Sequence, residues 1–321
     1  MKRKEVFALL IYLTLAIATS FADLRMRAYP ERGAGEFSAG VVANTEPAPG
    51  KYRVLAPFLN HYLATVTGAA PQSVWYVTRF LWILSAFLIC HFYLRTWFPT
   101  EAAMAGVTMV AASLPLTFTN SWAHPDHFPE LALFTLGAMT IARRNDLAFA
   151  VALALAALNR ETSVFLVVLY LVAQPIDRPR AIRAAAFAAE WAVIYAGLRM
   201  LRGVQHYDYW QLGRNLTDLT IPLPDVWDPY YRAYAYFWVL LFGPMLLAAW
   251  QARTAPSFAR RALTVVPLMV LVAFLFSNII ESRIFTPLFA LVLPGFVAFF
   301  FDVEQRTSDV GPRTAEGGRR R

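Results

Sequence analysis

Apolar runs recur along this chain from end to end, most of them close to the length of one membrane crossing, and few folds accommodate such a pattern. Hydrocarbon offers no partner for a backbone N–H or C=O, so runs of this kind cross it as helices whose hydrogen bonds close within themselves. Of 321 residues 58% are hydrophobic and 16% charged, and mean hydropathy is +0.45. The expectation is an all-α polytopic membrane protein with a single transmembrane domain over 1–301. A polar, arginine-ended tail follows over 302–321, and its composition predicts disorder.

Ten apolar segments can be marked: 6–22, 76–94, 102–118, 130–142, two runs flanking Asn159 at 147–157 and 164–173, then 181–201, 233–250, 262–277 and 284–301. Several fall short of the ~20 residues that cross a ~30 Å core, which predicts broken or re-entrant helices. The first run, behind Lys2, Arg3 and Lys4, suits either an uncut helix or a signal peptide ending at Ala22; the uncut helix lets the remaining spans pair. Long outer loops are expected at 23–75 and 202–232. Within the first, Leu55, Phe58, Leu59, Tyr62, Leu63 and Val66 recur at helical spacing, with Arg53, Asn60 and His61 among them. That spacing predicts a surface helix lying on or re-entering the membrane.

Charge decides the sidedness. With the N-terminus in the cytoplasm, 17 of the 29 Lys and Arg and 8 of the 21 Asp and Glu fall inside, 12 of each fall outside, and Glu190 lies within a span. Basic residues gather on the cytoplasmic side of membrane proteins, so both termini are expected there. The basic balance thus follows topology, and no nucleic acid is expected as a partner. The same rule makes the run 147–173 turn back, with Asn159, Arg160 and Glu161 at an outer turn. Charge inside an apolar span costs about 2.5–3.5 kcal/mol per group at the centre, so such a pair faces a cavity or a partner. The single cysteine, Cys90, excludes a disulfide framework and a thiolate metal site.

On that topology the polar groups converge on one face. Asp23, Glu31, Glu36, Glu46 and Arg53 come from the first loop, and Asn120, His124, Asp126, His127 and Glu130 from the second connection. The hairpin turn adds Asn159, Arg160 and Glu161. Asp208 and Arg214 come from the long loop, and Asn278, Glu281 and Arg283 from the last one. His124, Asp126, His127 and Asp208 are candidates for acceptor or sugar contacts or for a divalent cation, although Pro125 and Pro129 equally suit an interfacial turn. No His/Glu pair at helical spacing supports a metal, so none is assigned and no cofactor is demanded. The aromatic residues between Tyr207 and Tyr236 fit an interfacial belt.

Three motifs carry a resemblance: Tyr52-Arg53-Val54-Leu55-Ala56-Pro57-Phe58-Leu59 after a long first loop, Asn159-Arg160-Glu161-Thr162 between short helices, and Glu281-Ser282-Arg283 opening the last span. In their order and sidedness they resemble bacterial membrane glycosyltransferases of the GT-C fold. The resemblance implies an inner-membrane protein, a polyprenyl-phosphate sugar donor, a lipid, glycan or protein acceptor, and a loop-one carboxylate acting as base. Asp23 at the end of the first helix matches one form of that acid, and Glu36, in Gly35-Glu36-Phe37, matches another with glutamate in place of aspartate. Both remain open. Arg53, Arg160 and Arg283 suit the departing phosphate, since a guanidinium fork matches phosphate oxygens. Glu161 and Glu281 are placed to orient those arginines, and Asn159 to assist. Two other classes compete: a carrier or flippase for a lipid-linked or anionic solute, and a non-catalytic subunit of an envelope assembly.

Overall fold

The computed structural model describes residues 3–25, 35–118, 125–206, 210–220, 237–279 and 281–301. No strand occurs among them, and their helices are α1 (Arg3–Arg25), α2 (Glu36–Val42), α3 (Leu55–Thr67), α4 (Pro71–Leu94), α5 (Thr100–Ser113), α6 (His127–Ala142), α7 (Asp146–Asn159), α8 (Val164–Val172), α9 (Arg178–Arg202), α10 (Leu212–Thr220), α11 (Phe237–Gln251), α12 (Ser257–Ala262), α13 (Val265–Phe276) and α14 (Leu288–Phe300).

Four helical stretches are long and apolar enough to cross a membrane: Arg3–Leu24, Pro71–Leu94, Arg178–Arg202 and Ser257–Phe276. Shorter apolar helices stand among them, so the described helices do not supply ten full crossings. Local chemistry explains the shortening. The run 102–118 stops being α-helical at Ser113, where Pro115 lacks the N–H that would continue the ladder and a 3-10 turn follows. The run 147–173 breaks at Arg160, whose backbone is extended at φ −155°, ψ 145°. Two short helices, α2 and α10, occupy stretches expected as loop, and α6 begins at His127, three residues before the expected 130.

Caps and turns fall where the sequence supplies them. The Asn145 side chain accepts from Ala148 N at 3.0 Å to start α7, and Asp177 accepts from Arg180 N at 2.7 Å to start α9. Gly68, at φ 66°, closes α3 in the left-handed region that favours glycine. At the start of α7, beside the Asn145 cap, Tyr170 of α8 donates to Asp146 at 2.9 Å and stacks on Phe149 with centroids 5.2 Å apart. The two helices therefore run back alongside each other, and residues 159–163 form the bend between them.

The core lies where α4, α6, α11 and α14 meet, and α1 packs on α4 through Ala8, Tyr12 and Ala16, all buried. Tyr93 of α4 donates to Ala290 O in α14 at 2.8 Å, and Phe242 of α11 meets Phe289 at 4.9 Å. Helices in lipid gain little from hydrophobic exclusion, so close approach of small residues matters. At Gly295 a Cβ would stand 2.8 Å from Ala249 Cβ and 3.3 Å from its Cα, so α14 and α11 touch backbone to backbone there. Replacing Gly295 with leucine should lower stability by about 1–3 kcal/mol through overpacking, read as a drop in the unfolding midpoint of the detergent-solubilised protein.

Candidate functional site

Four separated segments meet at one end of the bundle, and backbone contacts fix their order. Val54 N donates to Leu158 O at 3.0 Å, tying the start of α3 to the end of α7. Tyr52 donates to Gly203 O and accepts from Gln205 N, both at 3.0 Å, which fastens the first loop to the chain leaving α9. The side-chain amide of Asn159 donates to Asp126 O at 2.9 Å. Arg53, Asp126 and the 159–162 bend are thereby held within reach of one another.

Asp126 is the centre of the ion cluster that results. Its carboxylate lies 3.2 Å from Arg53 Nη1 and 3.3 Å from Arg160 Nε, with no exposed surface of its own. Arg53 also donates to Glu161 at 3.0 Å. Arg160 pairs with Glu130, whose second oxygen accepts from Thr162 at 2.5 Å. Arg283 pairs with Glu281 two residues before it. The side chains of Arg53, Arg160, Arg283, Asp126 and Glu130 are all more than nine-tenths buried, whereas Glu161 is 32% and Glu281 23% exposed. The buried members form the wall, and these two acids reach the open space.

That space is a cavity of about 380 Å³. Arg53, Arg160, Arg214 and Arg283 line it together with Glu46, Glu161 and Glu281, and Phe37, Phe276 and Ile284 supply apolar surface. Several donors in the wall are unfilled. Among the described residues, Arg53 Nε and both Nε and Nη1 of Arg283 are buried with no hydrogen-bond acceptor. A buried donor left unmet costs about 1–3 kcal/mol, more when charged.

α10 closes one side of the cavity. Asn215, fully buried, donates to Phe274 O at 2.6 Å and Ser277 O at 2.7 Å and accepts from Ile279 N at 3.2 Å. Gln211 N donates to Leu275 O at 2.9 Å. This docking onto the unwound end of α13 brings Gln211 and Arg214 to the cavity. It also consumes the amide of Asn215, so the sequon Asn215-Leu216-Thr217 offers no acceptor in the folded protein.

The structure separates the remaining sequence candidates. Asp23 is sealed away from the cavity lining: its two oxygens take Nε and Nη2 of Arg79 at 2.6 Å each, and Arg79 lies 4.7 Å from the Trp75 ring and 4.6 Å from that of Phe128. Glu36 is exposed and is not on the cavity wall, where its neighbour Phe37 stands. Asn159 is buried behind the arginines. His127 is buried with Nε2 3.2 Å from Thr117 Oγ1. His124 and Asp208 lie outside the described residues. Among the described residues no group of three or more His, Cys, Asp or Glu side chains is arranged to hold a metal ion.

Three participants, Glu46, Arg214 and Glu130, were named in the sequence only among the outer-face groups and given no role, and a fourth, Arg79, was not named. Glu46 lies on the wall with its Oε2 3.0 Å from where a Cβ on Gly40 would stand and its Cγ 3.1 Å from one on Gly50, so two glycines make its berth. Arg214 depends on a helix that reads as loop. Glu130 sits at the start of an apolar run, and its opposite charge to Arg160 is the only signal it gives. Arg79, an arginine inside the segment 76–94, is the more legible omission, because such a residue demands a partner.

Electrostatics follow from this arrangement. Burial works against the charge on Arg53, but Glu161 and Asp126 outweigh it and hold the guanidinium above its ordinary value. Burial would raise Glu161, yet the charge and hydrogen bond of Arg53, with Arg160 behind, bring it below the usual carboxylate range. At Arg283 burial dominates and lowers it, with Glu281 and Asp126 compensating only in part. Because the folded value of Glu161 is depressed, its pairing contributes stability above the ordinary glutamate value, and that contribution fades as pH falls toward the folded value. The difference in unfolding midpoint between the native protein and Glu161→Gln should therefore be constant at neutral pH and close below the carboxylate range.

The described residues define a helical protein with four helices long and apolar enough to cross a membrane and a buried arginine–carboxylate cluster on a cavity. Comparison with protein-family models, with curated proteins and with solved structures gave no match.

Proposed function

We propose that this protein is an inverting glycosyltransferase that moves a sugar from a polyprenyl-phosphate donor to a lipid, glycan or protein acceptor, at the outer face of a bacterial inner membrane. The ten-segment layout with both termini cytoplasmic belongs to the same reading. The observation that carries it is the set of unfilled guanidinium donors on Arg53 and Arg283, buried in the wall of a cavity that carboxylates also line.

Each part of the transfer has a group to serve it. The acceptor hydroxyl attacks the anomeric carbon, the bond from that carbon to the phosphate oxygen breaks, and the polyprenyl phosphate leaves with the bonding pair. Arg53, Arg160 and Arg283 neutralise the charge that grows on the phosphate, in a site too buried for water to do so. The acceptor proton goes to a carboxylate within hydrogen-bond reach. Among the acids of loop one, Glu46 takes that part, because it stands on the cavity wall while Asp23 is tied to Arg79 and Glu36 lies off it. Glu161 and Glu281 are engaged by Arg53 and Arg283 and orient them. Phe37 and Phe276 offer faces for the sugar ring or the first isoprene unit.

The test is made on the full chain in lipid nanodiscs with a panel of polyprenyl-phosphate sugars and membrane extract, following donor loss and product gain by mass spectrometry. Arg283→Ala should weaken use of the donor by about 10- to 100-fold, the range expected for losing a hydrogen bond to a charged group. Glu46→Gln should lower turnover by 100-fold or more, in the range typical of a lost general base, with donor binding retained. Full turnover in both folded variants would sink the assignment. Passage of an intact lipid-linked sugar across proteoliposomes, with no product formed, would establish the carrier instead.

A further inference from the structure

Glu190 sits twelve residues from either end of α9 (Arg178–Arg202), one of the four stretches long and apolar enough to cross a membrane. At a rise of 1.5 Å per residue that is about 18 Å from each end, the middle of a bilayer for a helix that spans it. It makes no hydrogen bond or ion pair with any described residue. Every other acid described within the bundle has a cation or hydroxyl in reach, as Asp23 has Arg79 and Glu130 has Arg160. An ionisable side chain at membrane depth calls for a partner, and the described residues supply none.

The helix around Glu190 is correspondingly uncovered. Only 11% of the most apolar stretch of α9 is buried, the least of the four. One face is anchored, through Phe187 against Phe149 and Tyr170 and through Trp191 donating to Ser163 at 2.9 Å. A second face carries Ala186, Glu190, Val193 and Gly197, at i, i+4, i+7 and i+11, which fall on one side of a helix. Val193 is 71% exposed, and a Cβ placed on Gly197 would meet nothing within 4 Å. Glycine weakens a helix interior relative to alanine. No contact inside the protein uses the room that it leaves. Small residues beside a polar one are how membrane helices let a second backbone approach and hydrogen-bond.

We infer that this face of α9 docks a transmembrane helix of a different protein, one carrying an arginine or lysine near its middle that pairs with Glu190. Charge selects that occupant. A second copy of this chain shares its orientation in the membrane, so a two-fold contact through α9 would set Glu190 against Glu190 at the same depth, like charge against like. A basic side chain at mid-depth satisfies the acid, and Gly197 lets its helix come close. The inference rests on α9 crossing the membrane and is independent of the sugar-transfer chemistry, since Glu190 lies outside the cavity wall.

The experiment uses the labelled full chain in phosphatidylcholine vesicles with labelled 25-residue leucine–alanine transmembrane peptides whose central residue is arginine, leucine or glutamate, and reads association by resonance energy transfer. The arginine peptide should bind at least about tenfold more tightly than the leucine one. Glu190→Leu should erase that preference, and Gly197→Leu should weaken binding of both peptides. Neither variant should lower the unfolding midpoint, because Glu190 makes no hydrogen bond or ion pair with a described residue and a Cβ on Gly197 meets nothing within 4 Å. Equal binding of the three peptides, or an arginine preference that survives Glu190→Leu, would overturn the inference. Energy transfer between two copies of the chain that disappears in Glu190→Leu would assign the face to self-association and overturn it as well.

Discussion

The carboxylate of Asp126 holds the site together. It has no exposed surface and is shared by Arg53 from the first loop and Arg160 from the bend between α7 and α8. Taking one aspartate and two guanidinium groups out of water is costly, and their mutual attraction offsets that cost only while every partner stays in place. The cluster is consequently stiff, since removing one member strands a buried charge. Arg160 brings in Glu130 and through it Thr162; Arg53 brings in Glu161. A break in α7 that would otherwise be a weakness in an apolar run is the point at which the first loop, α6 and the α7–α8 bend are locked.

A second consequence concerns the cavity. The interior acids, Asp126 and Glu130, hold Arg53 and Arg160, while Arg53 Nε and Arg283 Nε and Nη1 are buried with no hydrogen-bond acceptor. The docking of α10 by Asn215 completes the same wall from the other side, and places Arg214 there. The pair Asp23–Arg79 plays a different part. Packed between Trp75 and Phe128, it joins α1 to α4 and keeps a charge pair dry.

Much of this was legible in residues whose chemistry conflicts with their surroundings. Arg160 and Glu161 between two apolar runs, and Arg283 just before the last one, mark positions that have to face a partner, and the structure brings Arg53, Arg160, Glu161, Glu281 and Arg283 to one cavity. Position along the chain was a poorer guide for the carboxylates. Asp23 ends an apolar run and Glu36 follows a glycine, as the resemblance asks, yet neither lines the cavity, whereas Glu46 does. Nothing in the neighbourhood of Glu46 announces it, because what seats it is the absence of side chains at Gly40 and Gly50, six residues before it and four after. Likewise α10 is short: Leu212, Leu216 and Leu219 recur at helical spacing inside a stretch otherwise read as loop, and it is the docking of Asn215 on backbone groups of α13 that brings this helix to the cavity.

Helices long and apolar enough to cross a membrane, and the chemistry of their interruptions, were determined by the sequence alone, since apolar length and misplaced charge act locally and need no knowledge of what lies across the bundle. Proline at 115 and the extended residue at Arg160 shorten helices by the same local logic. Partnership was decided only by the tertiary structure. Which carboxylate meets which arginine, which acid reaches the cavity and which is sealed from it, depend on distances of a few ångströms between segments far apart in the chain, 151 residues between Tyr52 and Gly203 and 197 between Tyr93 and Ala290. Charge pairing at such separations is set by packing, and packing is a property of the whole fold.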